Sequence, residues 1–338
     1  MLNIIKNQSL KSFNTFNIDV NTQFFLYLEH KDQLLELFSD KIDKFLVIGE
    51  GSNILFTKNI DYLIIKNSIK GKKIVFETDK EIIFNISSGE NWNDLVWEFS
   101  KLNYGGIENL VKIPGNIGAA VVQNIGAYGV EIKDVVESVE VFDTEKKEFK
   151  ILSKEKLNFS YRDSIFKKQK NLIVTSVNIK LIKNPQNFNI NYKGIKENLT
   201  NDNLTPYKIA DIIANIRENK LPDPKKIGNA GSFFKNPIIT TDLFDSLKKK
   251  YPEMPFYNSN DLKKIPAAWL IEKANFKGYK IGDVGVYKDH ALILVNDFNS
   301  LATPLNERGK DIYSLSQKII DKVYQIFSIK LEREVLVL

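Results

Sequence analysis

The chain has 338 residues, 43% apolar and 27% charged, with 48 Lys and Arg against 42 Asp and Glu, two His and no Cys. That length suits about two domains and the apolar share is ample for a core; the missing Cys excludes disulfide scaffolds, thiol nucleophiles, cysteine-ligated zinc and iron–sulfur clusters. His30 and His290 cannot form a three-His metal site and leave little room for a Ser-His-Asp triad. No metal is therefore expected, and the chemistry must run on Ser, Tyr, Lys, Arg and carboxylates or on a bound cofactor. The net charge of +6 is spread among acids, as in EHKDQ at 29–33 and EKKEFK at 145–150. It reads as a solvated surface and not as a nucleic-acid interface. No run reaches the ~18 apolar residues of a membrane span, and MLNIIKNQSLKSF is too weakly apolar for a secretory signal. A cytoplasmic protein without membrane insertion is expected.

Helical spacing first appears at KDQLLELF, 31–38. Short apolar runs at 45–48, 61–66, 73–78 and 82–88, separated by Gly, Asn and Asp, predict strands. A helix follows at 91–103, capped by Asn91 and stopped by Gly105-Gly106. A hairpin is predicted over 139–152 and a long strand over 172–182. Thr205-Pro206 starts a helix with Ile209, Ile212, Ile213 and Ile216 on one face, broken at Leu221-Pro222. Further helices are predicted near 240–251, at 266–276 with Gly278 as stop, and through Ile312, Leu315, Ile319, Ile320 and Val323. A strand over 329–338 ends the chain. The class is α+β, with a boundary near 184–220.

Five constellations stand out. FLVIGEGSNILF at 45–56 runs a strand into two glycines; lacking a third Gly and a following helix, it is not a Rossmann turn, yet it suits a phosphate nest as well as a plain hairpin. IPGNIGAAVVQNIGAYG at 113–129 carries Gly115, Gly118, Gly126 and Gly129 among small apolar residues, as a buried turn covering a ligand would. In FSYRDSIFK, Arg162 offers a planar fork to a carboxylate or phosphate, or pairs with Asp163. In GNAGSFFKNP, Ser232 sits in a semi-buried small-residue turn and suits a proton donor more than a base-activated nucleophile. Alternation on the last strand puts Glu334 on one face with Leu336 and Leu338; if that face is buried, desolvation favours a protonated carboxyl, and if it faces solvent Glu334 is a surface charge.

The order of these blocks is more specific than any one of them. NTFNID at 14–19, GEGSNILF at 49–56, GENW at 89–92, the 106–129 segment, YRDSIFK at 161–167, KLPDP at 220–224, GNAGSFFKNP at 228–237, PAAWLIE at 266–272, YKDHALILVN at 287–296 and LEREV at 331–335 together resemble the UDP-N-acetylenolpyruvoylglucosamine reductase family over nearly the whole chain. The resemblance implies a PCMH-type FAD-binding region, with one subdomain over 1–70 completed by 329–338. A second subdomain over 71–205 would carry a lid loop near 184–200, and a substrate-binding domain would span 206–328.

It also implies roles. Gly49, Glu50, Gly51, Ser52, Asn53, Gly115, Gly118, Asn124, Gly126, Ala127 and Gly129 would hold non-covalent FAD. Ser232 would protonate, with Arg162 and Glu334 stabilising the developing charge. Tyr192 would be the tyrosine of the lid, Lys220 and Asn236 would grip a diphosphate, and Tyr128, Lys235 and Tyr257 would line the pocket. NADPH would be the reductant, a UDP-sugar the substrate, and the protein a monomer of peptidoglycan precursor synthesis. The chain departs from the family pattern at Leu336, where some members carry Arg, and at His290, where many carry Gln. A flavin oxidase of the same broad fold and a nucleotide-binding protein without turnover are the alternatives. The first would commonly tether FAD through Cys or His, and the second has no need of Ser232, Arg162 and Glu334.

Overall fold

The computed structural model describes residues 2–199, 203–300 and 302–338. The chain divides into two compact units: 1–8, 22–50 and 61–219 form the first, and 9–21, 51–60 and 220–338 the second. Residues 206–219 fall in the first unit, and the second resumes at Lys220, at the end of the 184–220 stretch where the sequence places a boundary.

Among the described residues the first unit holds two large sheets and the two-stranded pairing of Gly126–Ala127 with Val130–Glu131. In one, strands Ile5–Ser9, Asn21–Leu28, Ile60–Asn67 and Phe45–Ile48 lie side by side in that order, the last two parallel. In the other, Leu172–Lys183 is central, antiparallel to Val136–Asp143 on one side and to Glu81–Ser87 on the other. The hairpin 139–152 is present, as Val136–Asp143 paired with Glu148–Ser153. Val177, Ile179 and Leu181 alternate into a core with Ile82, Phe84 and Ile86, covered by Trp92, Val96 and Phe99 of helix Trp92–Lys101 and by Ile209, Ile213 and Ile216 of helix Pro206–Lys220. That apolar stripe ties the latter helix to the first unit.

Asn91 caps its helix as expected, accepting from Asp94 N–H at 3.0 Å. The stop is different: Asn103 takes a left-handed φ of +59° and Tyr104–Gly105 is already a strand. Asn tolerates that conformation through its short polar side chain.

In the second unit, strands Gly228–Ser232, Ile293–Asn296, Val284–Val286 and Lys280–Ile281 form an antiparallel sheet. Helix Arg308–Phe327 buries Ile312, Leu315, Ile319, Ile320 and Val323, the stripe predicted from spacing. Of the predicted final strand only Leu336–Val337 is regular, parallel to Ile54–Leu55. Phe16 and Phe233, with ring centroids 6.2 Å apart, lie in the core of this unit.

Candidate functional site

In the first unit, chemistry-bearing side chains gather around Gly126. The Arg162 guanidinium donates to Gly126 C=O at 2.5 Å, and Lys167 Nζ donates to Arg162 C=O at 2.6 Å. Arg162 has φ +53°, a conformation costing an L-residue ~1–2 kcal/mol and worth holding only where the surroundings require it. Paired 3.1 Å bonds between the backbones of Ser160 and Asp163 close the turn that imposes it. The Asp163 carboxylate accepts from Ser164 N–H at 3.0 Å.

Tyr128 is also left-handed, at φ +50°. Asn109 Nδ2 donates to Tyr128 C=O at 2.9 Å and to Asn189 C=O at 2.8 Å, and Asn189 Nδ2 donates to Gly129 C=O at 2.9 Å. These bonds clip the segment leading to Tyr192 onto the 126–129 turn. The rings of Tyr128 and Tyr192 meet edge to face at 4.9 Å, and Tyr192 remains 43% exposed. Burial pushes the Tyr128 phenol above its usual pKa, opposed by the Arg217 guanidinium hydrogen-bonded to it.

Arg217 is a residue that the motifs do not single out. Its guanidinium donates to Lys112 C=O at 3.3 Å, while its enclosed Nε has no hydrogen-bond partner. Burial lowers its pKa, and the charge of Arg162 adds to that effect. An enclosed donor beside a second guanidinium is an arrangement an anion would satisfy. The available signal was its place on helix Pro206–Lys220, next to the apolar stripe and three residues before Lys220.

The glycine segments differ from expectation. Segment 115–129 is not one continuous buried turn: Ile117–Gln123 is a helix, capped by Asn116 and ended by Asn124 at φ +45°. The N–H groups of Ile117 and Gly118 donate to Glu90 and Ser88 C=O, at 3.0 and 2.9 Å, so these two donors are used inside the protein. Asn124 Nδ2 donates to Ser160 C=O at 2.8 Å. Gly126 and Ala127 pair with Glu131 and Val130, and Gly115 C=O accepts from Trp92 N–H at 2.9 Å.

At 49–53 the flanking strands belong to different sheets, which removes the plain-hairpin reading. Lys66 Nζ donates to Gly49 C=O and pairs with Glu50, both at 2.8 Å. Gly51 has φ +63°, and a Cβ there would lie 1.9 Å from Phe13 C=O; only glycine fits. Thr15 N–H donates to Gly51 C=O at 3.3 Å, and the buried Thr15 hydroxyl has no partner. An orphaned hydroxyl beside a Gly-Ser-Asn turn fits a phosphate-bearing cofactor.

In the second unit, Ser232 ends strand Gly228–Ser232 and is exposed, not semi-buried in a turn. Asn229 pairs with Val295 and Ser232 with Ile293, so a bulge intervenes; bulges re-aim side chains next to active sites. Gly231 has φ +66° and donates its N–H to Asn229 Oδ1 at 3.0 Å. Glu334 N–H donates to Phe233 C=O at 2.8 Å, placing the backbones of the predicted proton donor and carboxyl side by side. The leucine-lined face is absent: Leu336 is 42% exposed, Glu334 half-buried, and Val335 the buried neighbour. The short strand does not keep the alternation long enough to form that face.

The other predicted residues are placed as follows. Asn236 Oδ1 accepts from Ala267 N–H at 2.9 Å, capping helix Ala267–Lys273, and Lys235 pairs with Glu332 at 2.5 Å. Ser52 and Asn53 follow Gly51, and Asn53 Nδ2 donates to Glu334 C=O at 3.1 Å. Tyr257 is 55% exposed. Lys220 is exposed; burial, then the charges of Lys220 and Lys277, push the His290 imidazole below the usual histidine range. Among the described residues no group of three or more His, Cys, Asp or Glu could hold a metal, and no helix is long and apolar enough to cross a membrane.

Residues 223–338 match a family model described as UDP-N-acetylenolpyruvoylglucosamine reductase, C-terminal domain, and 27–150 match one described as FAD binding domain. The UDP-N-acetylenolpyruvoylglucosamine reductase of Flavobacterium johnsoniae is 41% identical, covering 99% of this chain and 99% of its own. That of Aliivibrio fischeri is 38% identical over 99% of this chain and 94% of its own. The solved reductase of the same name from Thermus caldophilus superposes with a TM-score of 0.68 at 22% identity, covering 100% of this chain and 98% of its own.

Proposed function

The chain belongs to the UDP-N-acetylenolpyruvoylglucosamine reductase family, and from that premise we propose that it reduces the enolpyruvyl ether of UDP-N-acetyl-3-O-(1-carboxyvinyl)-glucosamine to UDP-N-acetylmuramate. FAD, when bound, would supply hydride chemistry with NADPH as the reductant, and non-covalent binding is the reading we adopt. The cofactor would be held by the Gly49–Asn53 turn and by residues of the 115–129 segment; the orphaned Thr15 hydroxyl beside Gly51 supports this. Lys220 and Asn236 would grip the diphosphate, with Tyr128, Lys235 and Tyr257 lining the pocket and Tyr192 closing on it as a lid.

Hydride arriving at C3 of the enol ether puts negative charge on C2 and the adjoining carboxylate. Arg162 would meet that charge with a bidentate cation, pre-set by its turn, and Glu334 with a carboxyl. Ser232 would then deliver a proton to C2. An alcohol is a poor acid in water, but a carbanion-like carbon is a strong base, so a well-placed hydroxyl is enough.

The observation that carries this reading is the bond from Glu334 N–H to Phe233 C=O at 2.8 Å, which sets the carboxyl-bearing segment beside Ser232. The test is optical. The purified protein should be yellow, bleach with NADPH, and recover its colour on adding the enolpyruvyl sugar nucleotide. Ser232→Ala should keep the bleaching and lose the recovery. Loss of both steps would make Ser232 structural, and a colourless protein refusing FAD would end the proposal.

A further inference from the structure

Glu334 sits where regular structure is thin. Arg333 is joined to Phe234 by an isolated bridge, and the strand begins only at Leu336. Three bonds fix the local backbone: Lys235 N–H to Glu332 C=O at 2.9 Å, Glu334 N–H to Phe233 C=O at 2.8 Å, and Asn53 Nδ2 to Glu334 C=O at 3.1 Å. The paired bonds on either side of Arg333 fix the path of the chain and the alternation of its side chains over the length of that bridge, which ends before the bend at Val335.

The Arg333 side chain anchors this short bridge to a helix. Its Nε donates to Ser316 Oγ and its Nη2 to Gln317 Oε1, both at 2.8 Å. The guanidinium also lies over the Tyr313 ring, 4.6 Å from its centroid. Ser316 is buried and donates its own proton to Tyr313 C=O at 2.6 Å, which leaves its oxygen to accept from Arg333. All three partners stand on helix Arg308–Phe327, whose buried stripe makes it a firm mount. Consecutive residues of an extended segment project to opposite sides. Fastening Arg333 to the helix therefore aims Glu334 the other way.

We propose that Arg333, clamped by Ser316, Gln317 and Tyr313, is the positioning residue that aims the Glu334 carboxyl for the reduction; this rests on the function proposed above. A point charge cannot replace the fork, because two acceptors and a ring face are engaged together. Misplacing a reacting group by about 1 Å costs on the order of 100-fold in rate.

The test compares the parent holoenzyme with Arg333→Ala, Arg333→Lys, Ser316→Ala/Gln317→Ala and the triple alanine variant. Bleaching by NADPH should stay within about twofold of the parent, while recovery with the enolpyruvyl sugar nucleotide should slow by about 10- to 100-fold, in kcat more than in KM. Arg333→Lys should recover little of the loss, and the triple variant should be no slower than Arg333→Ala, because both remove one interaction. Hydrogen exchange of the Glu334 and Lys235 amides, read without substrate, should quicken in each alanine variant. Parent-like recovery in Arg333→Ala, equal slowing of both steps, additive losses in the triple variant, or unchanged exchange would each overturn the inference. A parent protein that neither bleaches nor recovers would refute the proposed function instead, while exchange still reports on the clamp.

Discussion

Gly51 and Gly231 have nearly the same backbone, φ +63° and +66°, in the same unit, but opposite surroundings. A Cβ on Gly51 would lie 1.9 Å from Phe13 C=O and 2.9 Å from Asn14 Cα, whereas one on Gly231 would meet nothing within 4 Å. Gly231→Ala therefore carries only the left-handed cost of ~1–2 kcal/mol. Gly51→Ala adds a backbone overlap that no side-chain rotation relieves. Restoring a tolerable contact near 3.0 Å requires a shift of about 1.1 Å between two hydrogen-bonded segments, comparable to overpacking at a further ~1–3 kcal/mol. The expected losses are thus ~1–2 kcal/mol for Gly231→Ala and ~2–5 kcal/mol for Gly51→Ala, read by urea unfolding with m held constant. Flavin content should fall for Gly51→Ala and hold for Gly231→Ala, which should instead slow the recovery step by disturbing Ser232. Equal stability losses for the two variants would refute the argument that the Phe13 carbonyl forbids a side chain at 51.

Three further outcomes are expected. Arg162→Lys should slow recovery of the bleached flavin by roughly 100-fold or more, since an ammonium cannot reproduce the fork; stopped-flow absorbance checks this. Asp283 is held below the usual carboxylate pKa by the Ser300 hydroxyl, the Thr303 N–H and the Arg308 charge, with Arg308 Nη2 at 3.0 Å. A depressed folded pKa gives stability that is fully present above the unfolded value near ~3.9 and lost as pH falls through the folded one. Acid unfolding followed by circular dichroism should show that limb weakened in Asp283→Asn. His290, its pKa lowered chiefly by burial, should lose its proton at a lower pH than an ordinary histidine; the pH–rate profile of His290→Gln should match the parent on the alkaline side and differ only on the acid side.

Local patterns were legible wherever one residue type has one job. Thr205-Pro206 and the isoleucine spacing gave the helix Pro206–Lys220, and Ile312 to Val323 gave most of Arg308–Phe327. Stops were misread because Asn, not Gly, takes the left-handed positions at 103 and 275. Helix Ile117–Gln123 was missed because Gly and β-branched residues lower its propensity, and burial overrides that. At the candidate site, Arg162 stood out by its guanidinium fork in YRDSIFK and Ser232 by its place after Gly231 in GNAGSFFKNP. Arg217 and Arg333 did not, because their partners at 112, 128, 316 and 317 lie far along the sequence. The burial of Glu334 was misjudged for a related reason: whether alternation matters depends on how far the strand runs.

The pairing of Leu336–Val337 with Ile54–Leu55, 282 positions apart, is continued by Thr57 N–H and hydroxyl bonds to Leu338 C=O at 2.7 and 2.6 Å, 281 positions apart. At 5–20 residues per second of synthesis, residues 54–57 leave the ribosome roughly 14–56 s before their partners exist. The nascent chain therefore carries an unsatisfied apolar strand through most of translation, while the sheets at 22–50 and 61–219 can already close. Chaperone dependence and premature-stop products should accordingly concentrate on this seam.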